Sequence, residues 1–242
     1  MERIQIFKIR YMAVVSSSFG VFTTVLYTYL QARINIALSI AFSIGFLYLF
    51  VSCFRTILES SIEKFRAVRK IIIGSRFVEG YWVDYAISSE GKITSSALLN
   101  IFYEDGGLKV SAIVAWPNDR RIDVFSSDLI LMNRSNLHFR YELFSENRNR
   151  LVDRGYEEIQ FQLYKKIPDS YTGYFFSENN ASATSIHGIK IENVKLIKEF
   201  SDSHKRVSYL RNYLKKAINE FTHVISSDLD EDNSQSLSLQ FK

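Results

Sequence analysis

The sequence has few of the residues that link distant parts of a chain covalently. Its 242 residues include one cysteine and two prolines. Cys53 lies inside an apolar run, so a disulfide framework is excluded and a reducing compartment is indicated. The length suits one or two domains.

Enzyme motifs are absent as well. The sequence contains no phosphate-cradling G-x-x-x-x-G-K-[ST], no G-x-G-x-x-G, no H-E-x-x-H and no G-x-S-x-G. No cysteine pair is available for zinc. The four histidines are scattered, and their spacing fits structural or exposed positions better than ligands: His138, His187, His204 and His223. We therefore predict a binding protein, with no catalytic residues, no metal and no cofactor.

Positive charge is concentrated in the N-terminal segment. Residues 1–73 carry nine Lys/Arg and three Asp/Glu, a net charge of +6, whereas residues 74–200 carry fifteen and seventeen, a net charge of −2. A nucleic-acid-binding domain would carry its surplus on the folded face, so binding to a nucleic acid polymer is disfavoured. A basic N-terminal segment instead suits anionic lipid.

Two long uncharged runs, 11–30 and 34–54, are separated by Gln31, Ala32 and Arg33. A helix of about 20 apolar residues spans a bilayer core, so we predict two transmembrane helices. The alternative for the first run is a cleaved signal peptide, but the run is long for one and no A-x-A-like site follows it.

Basic residues flank the pair of runs on both outer sides and are scarce in the turn. The positive-inside rule therefore predicts a multi-pass membrane protein with both termini in the cytoplasm. An outer turn of three residues leaves little outside the cell for sensing, so the input is expected from the cytoplasmic domain.

Small residues recur at one-turn spacing in both runs. Ala37, Ala41 and Gly45 lie on one face of the second run, and Gly20 lies on a similar face of the first. Such faces allow close helix packing. Packing within the hairpin is the favoured interpretation, and contact between neighbouring copies is the alternative.

After the two apolar runs, the sequence pattern changes at Gly74 from helical spacing to strand-like alternation. Residues 55–73 have a helical apolar spacing and predict a juxtamembrane connector. Residues 74–200 alternate β-branched and aromatic runs with turn residues, which predicts a mainly-β domain of about eight antiparallel strands in a small, lipocalin-like barrel. Asp105-Gly106 is a strong hairpin signal. Among the segments assigned to turns are ENRNRLVDRG and ENNASATSIHG, and IKIENVKLIKEF is assigned to a strand.

The C-terminal part predicts a helix followed by a tail. Apolar residues at helical spacing run through residues 201–226, and packing on the barrel is the favoured placement of this amphipathic helix. Residues 227–242 are predicted to be a disordered acidic tail.

Aromatic and arginine residues near the turns of the predicted barrel are the candidate ligand contacts. Aromatic faces stack on bases and arginine binds phosphate, so a nucleotide with two phosphates needs both residue types. The candidate ligand-binding residues are Tyr81, Trp82, Trp116, Arg120, Arg121, Arg140, Tyr141 and Tyr174.

The layout of two N-terminal membrane helices, a basic connector and a β-rich domain resembles a known family. It is similar to the two-transmembrane β-barrel effectors of bacterial cyclic-oligonucleotide antiphage signalling systems (CBASS). The resemblance covers residues 1 to about 200 and includes Gly80-Tyr81-Trp82 and the YTGYF motif at 171–175.

The resemblance implies a cytoplasmic barrel that binds a cyclic dinucleotide made during phage infection. Binding would promote homo-oligomerisation, and the transmembrane helices would then disrupt the inner membrane and cause abortive infection. Two alternatives remain open from the residues alone. One is a membrane-anchored barrel that binds a lipid or another apolar ligand, and the other is a membrane-tethered interaction module.

Overall fold

The computed structural model describes residues 2–33, 35–117, 119, 121–145, 150–162 and 167–239, and it describes the backbone alone at 2–3, 128–129, 180–182 and 222–239. The chain divides into two compact units, Met1–Phe77 and Val78–Lys242.

The first unit is helical. It contains α1 (Glu2–Gln31), α2 (Ile36–Lys64), α3 (Arg66–Ile73) and one turn of 3₁₀ helix (Gly74–Arg76). The Asn35 side chain caps α2 by accepting a hydrogen bond from the Ala37 backbone N–H at 3.0 Å. Both α1 and α2 are long and apolar enough to cross a membrane. The two predicted helices are present, and each is longer than its apolar run.

Aromatic and hydroxyl side chains hold α1 against α2. Phe19 lies 4.4 Å from Phe50 between ring centroids, and Ser39 and Ser43 of α2 are buried. Rings of this kind at 4.5–7 Å contribute to packing beyond their buried area.

The stripe of small residues does not take part in that contact. Ala37, Ala41 and Gly45 are exposed, and a Cβ added at Gly20 or Gly45 would meet nothing within 4 Å. The interpretation that this stripe packs within the hairpin is therefore wrong, because the larger phenylalanine side chains on another face fill the space between the helices.

The connector is helical, as its spacing predicts, but it breaks at Phe65. This residue has an extended backbone (φ −106°, ψ 105°) and is 57% exposed. Arg69 of α3 is buried, and its Nη1 donates hydrogen bonds to the Ile62 and Glu63 carbonyls at 2.7 and 2.8 Å. These are carbonyls of the last turn of α2, which lack partners within the helix. Arg69 therefore stabilises the break.

The second unit is an antiparallel barrel that closes with β1 beside β8. Its strands are β1 (Gly80–Ile87), β2 (Ile93–Glu104), β3 (Gly107–Ala115), β4 (Ile122–Asn133), β5 (Asn136–Ser145), β6 (Leu151–Phe161), β7 (Ser170–Ser177) and β8 (Asn180–Lys190). The predicted hairpin at Asp105-Gly106 joins β2 to β3, with φ of 51° and 80°, as a two-residue turn of this type requires. The mainly-β barrel is thus confirmed.

Three strand boundaries differ from the prediction. ENNASATSIHG forms most of β8 and ENRNRLVDRG contains the start of β6, because ladder partners on both sides outweigh their polar composition. IKIENVKLIKEF contains the end of β8 and then α4 (Val194–Glu199). Asn193 starts α4, since its side chain accepts hydrogen bonds from the Lys195 and Leu196 backbone N–H groups.

The inner face of the barrel is filled at one end. Trp82, Phe161 and Tyr171 are each at most 2% exposed, and their rings lie 5.1–5.8 Å apart. We call this the plugged end; β1 begins there. In β5 the alternating residues Leu137, Phe139, Tyr141 and Leu143 share one face, and all four are buried.

The C-terminal helix α5 (Ser203–Leu239) covers part of the outer face. Leu210 and Leu214 pack with Val83 and Leu98, which point outward from β1 and β2. Packing of this helix on the barrel is confirmed. The helix continues through 227–239, where a disordered tail was predicted, because no proline or glycine follows Ser203 to interrupt it; residues 240–242 lie outside the described part.

Candidate functional site

A cavity lies inside the barrel at the end opposite the plug. Its volume is about 60 Å³, and it is partly open to solvent. We call this the open end; β1 finishes there at Ile87. The wall is mostly apolar, with Ala86, Val114, Phe125 and Phe175 among its residues. A drug-sized ligand needs about 300–1,000 Å³, so this cavity encloses only a small group or one edge of a larger ligand.

Three carboxylic acids line the cavity: Asp84, Asp153 and Glu157. Among the described residues, no Lys or Arg lines it. The described lining therefore offers no cation to pair with the phosphates of an anionic ligand, and an unpaired phosphate charge is costly to bury there.

Asp84 and Glu157 are the two most deeply buried of these acids, and Asp84 accepts more hydrogen bonds than Glu157. It is 4% exposed; its Oδ1 accepts a hydrogen bond from the Ala97 backbone N–H at 3.0 Å, and its Oδ2 accepts one from the Tyr171 hydroxyl. Burial raises the pKa of Asp84 to about 7, although these two hydrogen bonds oppose the shift.

Glu157 is 6% exposed and faces the same cavity. Burial raises the pKa of its carboxyl well above the usual range, and the nearby Asp84 adds to the shift. Within the part of the chain that the structure describes, no group donates a hydrogen bond to this carboxyl. Glu157 is thus a buried acceptor that is available to a ligand.

Tyr141 brings a hydroxyl to the cavity wall. The hydroxyl lies 3.4 Å from Asp153 Oδ2, and burial raises the pKa of Tyr141 above its usual range. Gly155, opposite Tyr141 in β6, makes room for the ring, because a Cβ there would lie 2.5 Å from the Tyr141 hydroxyl oxygen.

A cluster of Trp116, Arg121 and Asp123 lies at the rim of the open end. Trp116 Nε1 donates a hydrogen bond to Asp123 Oδ2 at 2.9 Å, and Arg121 Nε lies 3.1 Å from the same oxygen. The Arg121 guanidinium is 5.9 Å from the centroid of the Trp116 ring. Asp123 is fully buried, whereas the Arg121 side chain is 46% exposed. The cluster thus presents an aromatic face and a cation that a ligand can reach.

The structure brings together three of the candidate ligand-binding residues: Trp116, Arg121 and Tyr141. Trp82 is a core residue of the plugged end, where its Nε1 donates to the Val78 carbonyl at 2.9 Å. Arg120 lies outside the described residues.

Three further candidates point outward from the barrel. Tyr81 packs edge-on against Phe200, 5.1 Å away between centroids, under the C-terminal helix. Arg140 is exposed, and the exposed Tyr174 donates a hydrogen bond to Glu158 on the outer face. The alternation along a strand sends neighbouring residues to opposite faces, so nearness to Tyr141 in sequence does not bring Arg140 to the cavity.

No metal centre accounts for the acids. The described residues contain no group of three or more His, Cys, Asp or Glu placed to hold a metal ion. The carboxyls are spread over separate strands, β1 for Asp84 and β6 for Asp153 and Glu157.

Comparison with known proteins identifies no family. No protein-family model matches the chain, and no curated protein sequence matches it. Among solved structures, a de novo designed fluorescence-activating β-barrel is similar at a TM-score of 0.35 and 16% identity, over 48% of this chain and 96% of the design. At that score the likeness carries no functional argument.

The sequence reasoning missed the lumen acids although a signal was present. Ile159 and Phe161 alternate with polar residues in the sequence, which indicates a core face, and the same alternation places Glu157 on that face. Asp84 likewise alternates with Trp82 and Ala86 in β1. An acid at a core position of a strand is unusual, and this pattern would have found both.

Proposed function

We propose that the chain is a membrane-anchored sensor of the CBASS effector type, whose barrel binds a cyclic dinucleotide and whose helical hairpin acts on the bilayer. The observation that carries the proposal is the one-ended cavity with Trp116 and Arg121 at its rim, in a chain that also has two helices fit to span a membrane.

The ligand is expected to sit mostly at the rim. A cyclic dinucleotide is far larger than a 60 Å³ cavity, and its phosphates are disfavoured beside the lumen acids. At the rim, a base can stack on Trp116 and a phosphate can pair with Arg121, whose guanidinium forms two charge-assisted hydrogen bonds in favourable geometry.

Calorimetry of the full chain in detergent with a panel of cyclic dinucleotides tests this proposal. We expect a dissociation constant in the micromolar range or below for at least one member, and none for the linear dinucleotides with the same bases. If no cyclic dinucleotide releases or absorbs heat up to millimolar concentration, the proposal is overturned.

Arg121→Ala is expected to weaken binding about 10- to 150-fold, because it removes the accessible cation of the rim at a cost of about 1.5–3 kcal/mol for a charged hydrogen bond. Arg140→Ala is the matched control, since Arg140 lies on the outer face. Both variants are titrated with the best ligand of the panel. Equal losses of affinity in Arg121→Ala and Arg140→Ala would contradict placement of the ligand at the rim.

The output is proposed to be homo-oligomerisation through the membrane helices. Ala37, Ala41 and Gly45 form a face of α2 that the described residues of the helical unit leave uncovered, and small residues allow helices of neighbouring copies to approach closely. The proposed orientation places the barrel in the cytoplasm.

Gly45→Leu is expected to reduce ligand-triggered membrane permeabilisation about tenfold, a loss equivalent to about 1.4 kcal/mol of helix association. The hairpin itself should fold normally, because the added side chain meets open space. Dye release from vesicles that contain the protein measures the effect. Val25→Leu, on another exposed face, is the control, and unchanged dye release in Gly45→Leu would remove this face from the mechanism.

A membrane-tethered interaction module is the second candidate. The observation in its favour is a patch on the outer face of β6 and β7, where Tyr156, Tyr174 and Phe176 are 38–41% exposed. Under this alternative the dinucleotide panel gives no binding. A lipid carrier is disfavoured, because the cavity is too small for an acyl chain.

A further inference from the structure

The acids of the lumen have no role in holding phosphate, so a ligand group of different chemistry must account for them. Two buried carboxyls, Asp84 and Glu157, face one small cavity, and no described cation lines it. Buried polar groups in proteins are nearly always hydrogen-bonded, and a buried acceptor left unpaired is costly. A ligand that donates hydrogen bonds is the chemistry that satisfies them.

Glu157 is the specific acceptor. The hydrogen bonds from Tyr171 and the Ala97 backbone occupy both oxygens of Asp84, whereas no described group donates to Glu157. Burial favours the protonated form of Glu157 in the chain without ligand, whereas a pair of N–H donors favours the ionised form. Binding of such a pair therefore releases the proton of Glu157, and the carboxylate then accepts two parallel N–H bonds, as it does from the fork of an arginine.

Size and shape narrow the donor further. A cavity of about 60 Å³ holds a few non-hydrogen atoms and not a purine ring system. Its wall includes the rings of Phe125 and Phe175, with Trp116 nearer the rim. Such a site accommodates the edge of a planar group whose remaining atoms lie at the mouth against aromatic rings.

We propose that Glu157 binds a planar pair of N–H donors that enters from the open end, and that in a cyclic dinucleotide this pair is the N1–H and N2–H edge of guanine. The same pair occurs in a free guanidinium ion. Guanine is the only common base with two adjacent donors on one edge. The identity of the ligand rests on the proposed function, whereas the donor chemistry rests on the cavity alone.

The arrangement divides recognition between two regions. Arg121 and Trp116 at the rim would hold phosphate and ring without regard to the base, and Glu157 inside the barrel would select the base. Phosphate contacts position a nucleic acid ligand and base-edge contacts specify it. The acids of the lumen would then serve to select the base, although the ligand as a whole is an anion.

Titration of the full chain in detergent with cyclic di-GMP, cyclic di-AMP and cyclic di-IMP tests the proposal. Hypoxanthine differs from guanine only by the missing 2-amino group, so cyclic di-IMP isolates one of the two donors. We expect cyclic di-GMP to bind about 10- to 100-fold more tightly than either of the others, the discrimination typical of a bidentate contact.

Glu157→Gln should abolish that preference, since the amide turns one acceptor into a donor that opposes an N–H of guanine. Glu158→Gln is the matched control, because Glu158 is adjacent in β6 and bonds Tyr174 on the outer face. Thermal melts check that both variants are folded. The comparison of cyclic di-GMP with cyclic di-IMP needs no variant and stands if Glu157→Gln does not fold.

Methylguanidinium chloride is the last probe. It shows whether Glu157 binds a free guanidinium ion or the guanine edge of a cyclic dinucleotide. If it binds in a Glu157-dependent way while no dinucleotide binds, the donor site stands and the proposed function is overturned. If dinucleotides bind without guanine preference, or Glu157→Gln keeps the preference, the site is overturned and the proposed function stands. If none of the probes binds, both are overturned.

Discussion

Raising the pH from 5 to 8 should increase the stability of Asp84→Asn relative to the parent by about 2–3 kcal/mol. Burial raises the pKa of Asp84 from 3.8 to about 7 in the folded chain. One unit of difference between the folded and unfolded pKa corresponds to about 1.36 kcal/mol.

The sign follows from which state holds the proton. Between about pH 4 and pH 7 the unfolded Asp84 is ionised while the folded one keeps its proton, so rising pH favours the unfolded chain. The stabilising contribution is complete below about pH 4 and is lost as pH rises through about 7. Glu157, whose pKa is also raised by burial, acts in the same direction.

Urea denaturation followed by tryptophan fluorescence measures this effect, because both tryptophans, Trp82 and Trp116, lie in the barrel. Asp105→Asn is the control, since Asp105 is exposed in the β2–β3 turn. A parent protein that becomes more stable between pH 5 and pH 8 would contradict the buried, protonated state of the two acids.

Trp82→Ala is expected to lower the free energy of unfolding by about 3–5 kcal/mol, the usual cost of removing a large aromatic from a core. Trp82 is fully buried against Phe161 and Tyr171, and its loss also leaves the Val78 carbonyl without the indole donor. Urea denaturation followed by far-UV circular dichroism measures the change.

Three further variants test whether Trp82 is a core residue or a ligand contact. Trp82→Phe keeps most of the packing and should leave ligand affinity within about twofold, whereas Trp116→Ala should weaken binding by about 1–3 kcal/mol through lost stacking. Tyr174→Ala on the outer face should cost less than about 1 kcal/mol of stability. A Trp82→Phe variant that folds but loses affinity would place the ligand at the plugged end.

The sequence was sufficient for the architecture because its signals are local and repeated. Runs of about 20 apolar residues define two helices, and Asp105-Gly106 defines a hairpin that the backbone dihedral angles confirm. The alternation of Leu137, Phe139 and Tyr141 groups these residues on one face, which the structure shows to be the inner face. Polar stretches that pair on both sides, such as the start of β8, were missed because ladder formation depends on neighbours far along the chain.

The candidate site was harder to predict because residue type does not reveal the direction of a side chain in a closed barrel. Arg140 and Tyr141 are adjacent, but one faces solvent and the other the cavity. Composition favoured arginines as ligand contacts, whereas the described lumen carries carboxylates. The absence of a described donor to Glu157 depends on the three-dimensional register of β6 with its neighbours, which the sequence does not display.

The closure of β1 onto β8 also restricts how copies of this protein could join. Every strand already has a partner on each side, so no edge is available for strand addition, the usual route by which β domains polymerise. Assembly of neighbouring copies would have to use side-chain surfaces on the outside of the barrel or on the helices. A growing assembly of this kind would therefore leave each barrel intact, and removal of the ligand could return it to separate folded copies.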